Sequence, residues 1–161
     1  MRRADREITD PAQLRAWIES ENHLHLAMAD GDQPYLVPMS YGCELSPEGK
    51  LTLYLHSAAQ GRKLDILSRN PRVCFEISHQ ARLLPDEIPC RWTTAYWSVI
   101  GSGRAVFLQD RAEKSRALEA LVRHLGHRGE MAMDAQVLDR VTVLRVDVAE
   151  YVGKSNLGVT E

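Results

Sequence analysis

The feature that most restricts how this chain can fold is a period-two alternation of apolar and polar residues, repeated along it and cut by short turns. From His23 to Asp30 it puts Leu24, Leu26 and Met28 on one face and His23 and His25 on the other, the pattern of a half-buried strand. Gly31-Asp32 is a turn, and Pro34 to Glu44 resumes as a strand, so the two make a hairpin. Pro38 lies inside that second strand and cannot donate a ladder hydrogen bond, which puts the strand at a sheet edge or interrupts it with a bulge. After the turn Ser46-Pro47-Glu48-Gly49, the pattern returns from Leu51 to His56, Val73 to Ile77, Thr94 to Leu108 (loosened by Gly101 and Gly103) and Val141 to Val152.

Helices are marked between the strands. Asp10-Pro11 is an N-cap followed by proline at the first helical position, and Leu14, Trp17 and Ile18 share one face as far as Ser20. A short amphipathic helix after Gly61 turns Leu64 and Leu67 inward and ends at Asn70-Pro71. Asp110 caps a helix with Leu118, Leu121, Val122 and Leu125 as its buried stripe, stopping at Gly126, and Asp134 caps a shorter one. Ser78 to about Arg91 is polar, carries two prolines and reads as a loop. The sum is one domain over residues 1–161, mainly β with helices (α+β). About six mostly antiparallel strands close into a small barrel, since closure removes exposed edges.

Composition narrows the function. A net charge of −2 offers no broad positive field for nucleic acid. No apolar run approaches the ~20 residues that cross a bilayer. The charged opening, Met1-Arg2-Arg3-Ala4-Asp5-Arg6-Glu7, is not followed by a signal-peptide core. Three cysteines at wide spacing, Cys43, Cys74 and Cys90, make neither a disulfide framework nor a zinc motif. A reducing cytoplasm is the expected location.

The chemistry is concentrated between Leu53 and Leu67. A strand ends at His56-Ser57, turns through Ala58-Ala59-Gln60-Gly61, and opens a helix whose first turn holds Arg62 and Lys63. Cations are disfavoured at a helix N-terminus unless an anion sits before them, and there the free N–H groups, the dipole and two basic side chains make a phosphate site. The plain alternative is a solvated pair of surface charges.

Strand, turn and Arg62-Lys63-x-x-x-Leu67 resemble the phosphate-binding segment of the pyridoxamine-phosphate-oxidase-like FMN-binding split β-barrels, and most closely their nitroimidazole-resistance (Nim) branch. The blocks that carry the resemblance run in family order over almost the whole chain: Pro34 to Tyr41, Leu55 to Ala58 with Gly61-Arg62-Lys63, and Thr93 to Ile100. Met1-Arg2-Arg3 with Arg6-Glu7, and Val152-Gly153-Lys154, add to it.

The resemblance implies an FMN whose isoalloxazine lies against the backbone of Val37, Pro38, Met39 and Ser40. Its phosphate is held by Arg62 and Lys63, with Ser57 and the backbone around Ala58 assisting. Trp97, Ser98 and Val99 meet the flavin from a second subunit, which implies a homodimer with the cofactor site at the interface. His56 lies near the flavin as a candidate proton donor to a reduced nitro group, or else as a cofactor-positioning residue. Relatives carry an aromatic residue just after Ile100, where Gly101-Ser102-Gly103 here implies a thinner wall over the flavin. The implied activity is reduction of nitroaromatic or other small organic compounds, with an electron donor such as NAD(P)H or another redox protein.

Other readings stay open. A non-catalytic flavin module needs the same phosphate site. A haem-binding split barrel needs an axial ligand such as His23, His25 or His56, and a deazaflavin needs a larger basic groove. A true pyridoxamine-phosphate oxidase needs a second basic cluster that the sequence does not display. No metal site is expected: His23 and His25 share a strand face without an evident third ligand, and His124 and His127 suit a helix C-terminus. Cys74 reads as core, and Trp92, Tyr96 and Trp97 as stacking or packing residues.

Overall fold

Each helix begins where a side chain or a glycine lets the chain turn. In the computed structural model, which describes residues 3–156, Asp10 accepts the Gln13 N–H and Pro11 starts α1 (Pro11–Ser20). Gly61 precedes α2 (Arg62–Arg69), Asp110 caps α3 (Arg111–His124) and Asp134 caps α4 (Ala135–Arg140). The strands are β1 (Glu7–Ile8), β2 (His23–Asp30), β3 (Gln33–Ser40), β4 (Gly42–Leu45), β5 (Leu51–Ser57), β6 (Arg72–Leu84), β7 (Thr93–Phe107) and β8 (Thr142–Ser155). Met1 and Arg2, part of the opening block of the resemblance, lie outside the described residues.

The strands pair antiparallel in the order β3-β2-β6-β7-β8-β5-β4, with β1 added to β8. The sheet curls until β3 comes into contact with β5, but no ladder joins them, so the barrel is split there. Leu24, Leu26, Met39, Leu53, Leu55, Phe75, Ile77, Val99 and Val146 fill one interior, joined by Ile18 of α1 and Leu64, Ile66 and Leu67 of α2. A second small cluster sets Ala117, Leu118 and Leu138 of α3 and α4 on Val143, outside the barrel.

Several expectations need correction. There are eight strands among the described residues rather than about six. The expected strand from Pro34 to Glu44 breaks at Tyr41, whose ring enters the core and whose hydroxyl donates to the Ile18 carbonyl. One stretch of chain thereby supplies both edges of the sheet. Of the two readings of Pro38, the edge holds: it stays in register opposite His25 with no bulge, and the missing N–H is tolerated because β3 is an edge.

The expected loop from Ser78 is strand as far as Leu84, with a register shift between Gln80 and Arg82. This arm is exposed on both faces, so no apolar alternation marks it. Cys74 is exposed, not core. In α3 the buried stripe is Ala117, Leu118 and Leu121, while Val122 is half-buried and Leu125 exposed.

The C-terminal end of β8 is tied to β7 by a buried amide. Asn156 Oδ1 accepts the Tyr96 N–H at 2.7 Å, and its Nδ2 donates to the Thr94 carbonyl at 2.8 Å. Asn156→Ala is expected to cost about 1–1.5 kcal/mol by stranding both backbone groups. Urea denaturation reads it, and Asn156→Asp restores only the acceptor half.

Candidate functional site

β3 is bonded on one side only, to β2, so half of its backbone groups point away from the sheet. The free backbone groups around Pro38 therefore belong to a sheet edge. Pro38 and Ser40 are exposed on the outer face, while Met39 is buried and Val37 packs against the core. The register of β4 on β5 (Gly42↔Tyr54), continued two residues, leads Ser40 toward His56 at the split of the barrel. His56 is exposed, and its ring has no hydrogen-bond partner among the described residues.

Beyond His56 the chain turns into α2. Ser57 is 7% exposed, and its Oγ is buried without a partner. A hydroxyl in that state costs free energy, roughly 1–3 kcal/mol, until something bonds it. Ala58 is exposed. Gly61 has φ +146°, a backbone an L side chain resists, and a Cβ there would meet nothing within 4 Å. The α2 N-terminus has no side-chain cap, which leaves its approach open.

Arg62 and Lys63 differ in how free they are. Arg62 donates to Asp30 at 3.3 Å and lies 4.6 Å from the centroid of the Tyr35 ring, and Arg69 shares Asp30 at 2.8 Å. Lys63 is half-buried and has no ion-pair partner among the described residues, so it is the free cation of the first turn. An uncapped helix start, an orphaned hydroxyl and an unpaired lysine fit a phosphate group.

The expected contributors on β7 are not part of this group within one chain. Trp97 turns inward, 5% exposed, and stacks on Trp17 at 5.0 Å. Val99 is in the core, and the backbone of both is paired to β6 and β8. Ser98 lies on the opposite face of β7, itself 7% exposed, three strands from β3 and roughly 14 Å away. Gly101 forms no wall over an outer site: a Cβ there would strike the Phe75 ring at 2.5 Å, inside the barrel.

The remaining candidates are separate. His25 Nδ1 lies 3.0 Å from Glu76 Oε2, a carboxylate partner invisible in the sequence because it comes from β6. No cluster of three metal-ligating side chains occurs among the described residues. A groove of about 660 Å³ between β4 and α3 holds Cys43 and His124. His124 Nε2 donates to the Glu21 carbonyl at 2.6 Å, leaving Nδ1 3.6 Å from Cys43 Sγ. Burial pushes the Cys43 thiol up to about 11, so it is protonated at neutral pH and is no activated nucleophile. No helix is long and apolar enough to cross a membrane among the described residues.

The fold is similar to that of several known proteins. This chain is similar to a proposed 5-nitroimidazole antibiotic resistance protein from Bacteroides thetaiotaomicron. The two share 29% identity over 92% of this chain and 85% of that one, with a TM-score of 0.79. It is also similar to the flavocytochrome Anf3 of Azotobacter vinelandii (21% identity, 98% and 72% covered, TM-score 0.81). A FAD and heme binding protein of Mycobacterium smegmatis shares the fold at 16% identity (97% and 76% covered, TM-score 0.83). Among curated proteins compared by sequence, none matches. The family described as pyridoxamine 5'-phosphate oxidase matches residues 10–155, nearly all of the described chain. With its split antiparallel barrel and that match, this chain belongs to that family.

Proposed function

We propose that this protein is an FMN-dependent reductase of nitroaromatic or similar small organic compounds, working as a homodimer. The observation that carries the cofactor reading is the buried Ser57 Oγ without a partner, next to the uncapped α2 start with its free Lys63. A phosphate there accepts from all three, and the exposed edge of β3 offers backbone groups to a planar ring system. The phosphate cradle favours flavin over haem, and of the candidate axial ligands His25 is already engaged by Glu76.

Once bound, FMN supplies the electron transfer, and the chain's residues bind, orient and protonate. The free ring of His56 at the split is placed to hand a proton to the reduced substrate. A second copy enters the reading for two reasons. Ser98 stands too far from β3 to serve it within one chain, and the outer face exposes Leu36 (57%) and Ile100 (45%). The likeness to the nitroimidazole-resistance protein supports the substrate class. The electron donor is taken to be NAD(P)H or a redox protein, in the cytoplasm.

The test is an absorbance spectrum of the purified protein, then NADH or dithionite, then a nitroimidazole under nitrogen. Flavin bands that bleach and recover on adding the nitro compound support the reading. Bands that bleach and stay bleached point to a carrier, and a Soret band to haem. A colourless protein that ignores added FMN overturns it. His56→Ala is expected to keep bound FMN while slowing nitro reduction about a hundredfold. Wild-type rates in that variant make His56 structural.

A further inference from the structure

Cys43 and His124 lie 81 residues apart in the chain, and the fold brings them together in the groove of about 660 Å³ between β4 and α3. β4 is an edge of the sheet, paired to β5 through Cys43↔Leu53, and α3 lies close against Gly42, so that its last turn delivers His124 beside Cys43. Cys43 Sγ stands 3.6 Å from His124 Nδ1. A tetrahedral zinc ion holds a thiolate at about 2.3 Å and an imidazole nitrogen at about 2.0–2.1 Å, which sets the two ligand atoms roughly 3.6 Å apart.

His124 is oriented for such a use. Its Nε2 donates to the Glu21 carbonyl at 2.6 Å, so the proton sits on that nitrogen and the Nδ1 lone pair faces the thiol. The Tyr41 ring, 4.5 Å from the imidazole centroid, holds the ring in place. Metal-bound histidines are almost always fixed in this way, by an acceptor on the other nitrogen. Glu19 of α1 and Glu44 of β4 line the same groove, and the negative charge of each acts on Cys43. Glu19 takes Arg15 with Oε1 and Glu44 takes the Tyr54 hydroxyl with Oε2, so each keeps one oxygen without a hydrogen-bond partner among the described residues. The cations of the groove are largely engaged. Arg123 pairs with Glu119 at 2.7 Å, Arg128 donates to the Arg123 carbonyl at 2.9 Å, and Arg116 also lines the neighbouring cavity that holds Glu113.

We propose that Cys43 and His124 form a binding site for a thiophilic divalent cation of the zinc class, with Glu19 or Glu44 and water completing its coordination. Binding exchanges a proton for the metal: the S–H bond breaks, an S–metal bond forms, and the proton passes to solvent without any change of oxidation state. Burial keeps the thiol protonated at neutral pH, so an ion must bond thiolate strongly to displace that proton. That requirement disfavours Mg²⁺ and Ca²⁺ and favours Zn²⁺ and Co²⁺.

The site stands on this geometry and not on the flavin reading, so the two can fail independently. Cys43 lies opposite Leu53, which is roughly 13 Å along β5 from Ser57. An ion at Cys43 therefore does not reach the α2 cradle. It ties together α1, β4 and α3, whose residues meet at the groove.

The experiment adds Co²⁺ to the purified protein under nitrogen and reads the difference spectrum, against the same protein without metal, for thiolate-to-cobalt charge transfer in the near ultraviolet. The band is expected to saturate at one ion per chain, to be displaced by Zn²⁺ and to be indifferent to Mg²⁺. Cys74→Ser with Cys90→Ser should keep it, since both of those thiols are exposed. Cys43→Ser and His124→Gln should each lose it. The double variant leaves Cys43 as the sole cysteine, so a band retained there identifies the ligand even if Cys43→Ser folds poorly. No band at millimolar Co²⁺, a band lost in the double variant, or one that survives Cys43→Ser overturns the site. Survival in His124→Gln overturns the pair.

Discussion

Gly42→Ala is expected to lower stability by about 3 kcal/mol, read as a shift of the urea midpoint at constant slope. A Cβ at Gly42 would lie 2.4 Å from Leu121 Cα, 2.5 Å from Leu121 N and 2.8 Å from Ala120 C. These are backbone atoms of α3, so no side-chain rotation relieves the contact. Overpacking in cores costs about 1–3 kcal/mol when side chains can adjust, and a backbone wall belongs at the upper end. The price is paid at the junction of β4 with α3, away from Ser57 and Lys63, so the folded fraction should still bind flavin. A change below about 0.5 kcal/mol would mean that α3 lifts off β4 freely, contrary to the close approach described.

Lys63→Ala is expected to weaken FMN binding tenfold or more. Lys63 is the unpaired cation of the first turn of α2, and a charge-assisted contact to phosphate is worth roughly 1.5–3 kcal/mol. Arg62→Ala should cost less, because Arg62 is already held by Asp30 and lies over Tyr35. Flavin fluorescence quenching on titration with apoprotein measures both. Equal affinity of the Lys63 variant and the wild type would remove the phosphate from α2, and a larger loss for Arg62 would reverse the roles assigned to the pair.

The order in which the chain reveals itself has a physical cause. α1 was legible to its last residue because Asp10, Pro11 and one apolar stripe agree. β2 was equally legible, since it buries one face only. Pro38 announced an edge because a missing donor is tolerated only there. The arm of β6 beyond Ser78 stayed hidden, because a strand exposed on both faces has no period to detect. Tyr41 was unremarkable in sequence, and its burial against Ile18 is what divides one expected strand into two edges.

The candidate site divides in the same way. Sequence by itself determined the strand–turn–helix that presents Ser57, Arg62 and Lys63, because those residues are neighbours along the chain and a helix N-terminus is a local object. Local order also set the edge strand with Pro38 and Ser40. Tertiary structure alone decided that Trp97 and Val99 turn inward, that Ser57 Oγ is sealed without a partner, and that Glu76 meets His25. It also brought Lys154, from near the end of the described chain, to within 5.7 Å of the Tyr96 ring centroid. Such meetings depend on strand order and register, which bring together residues far apart in the chain, whereas periodicity reports only which face of one element is buried.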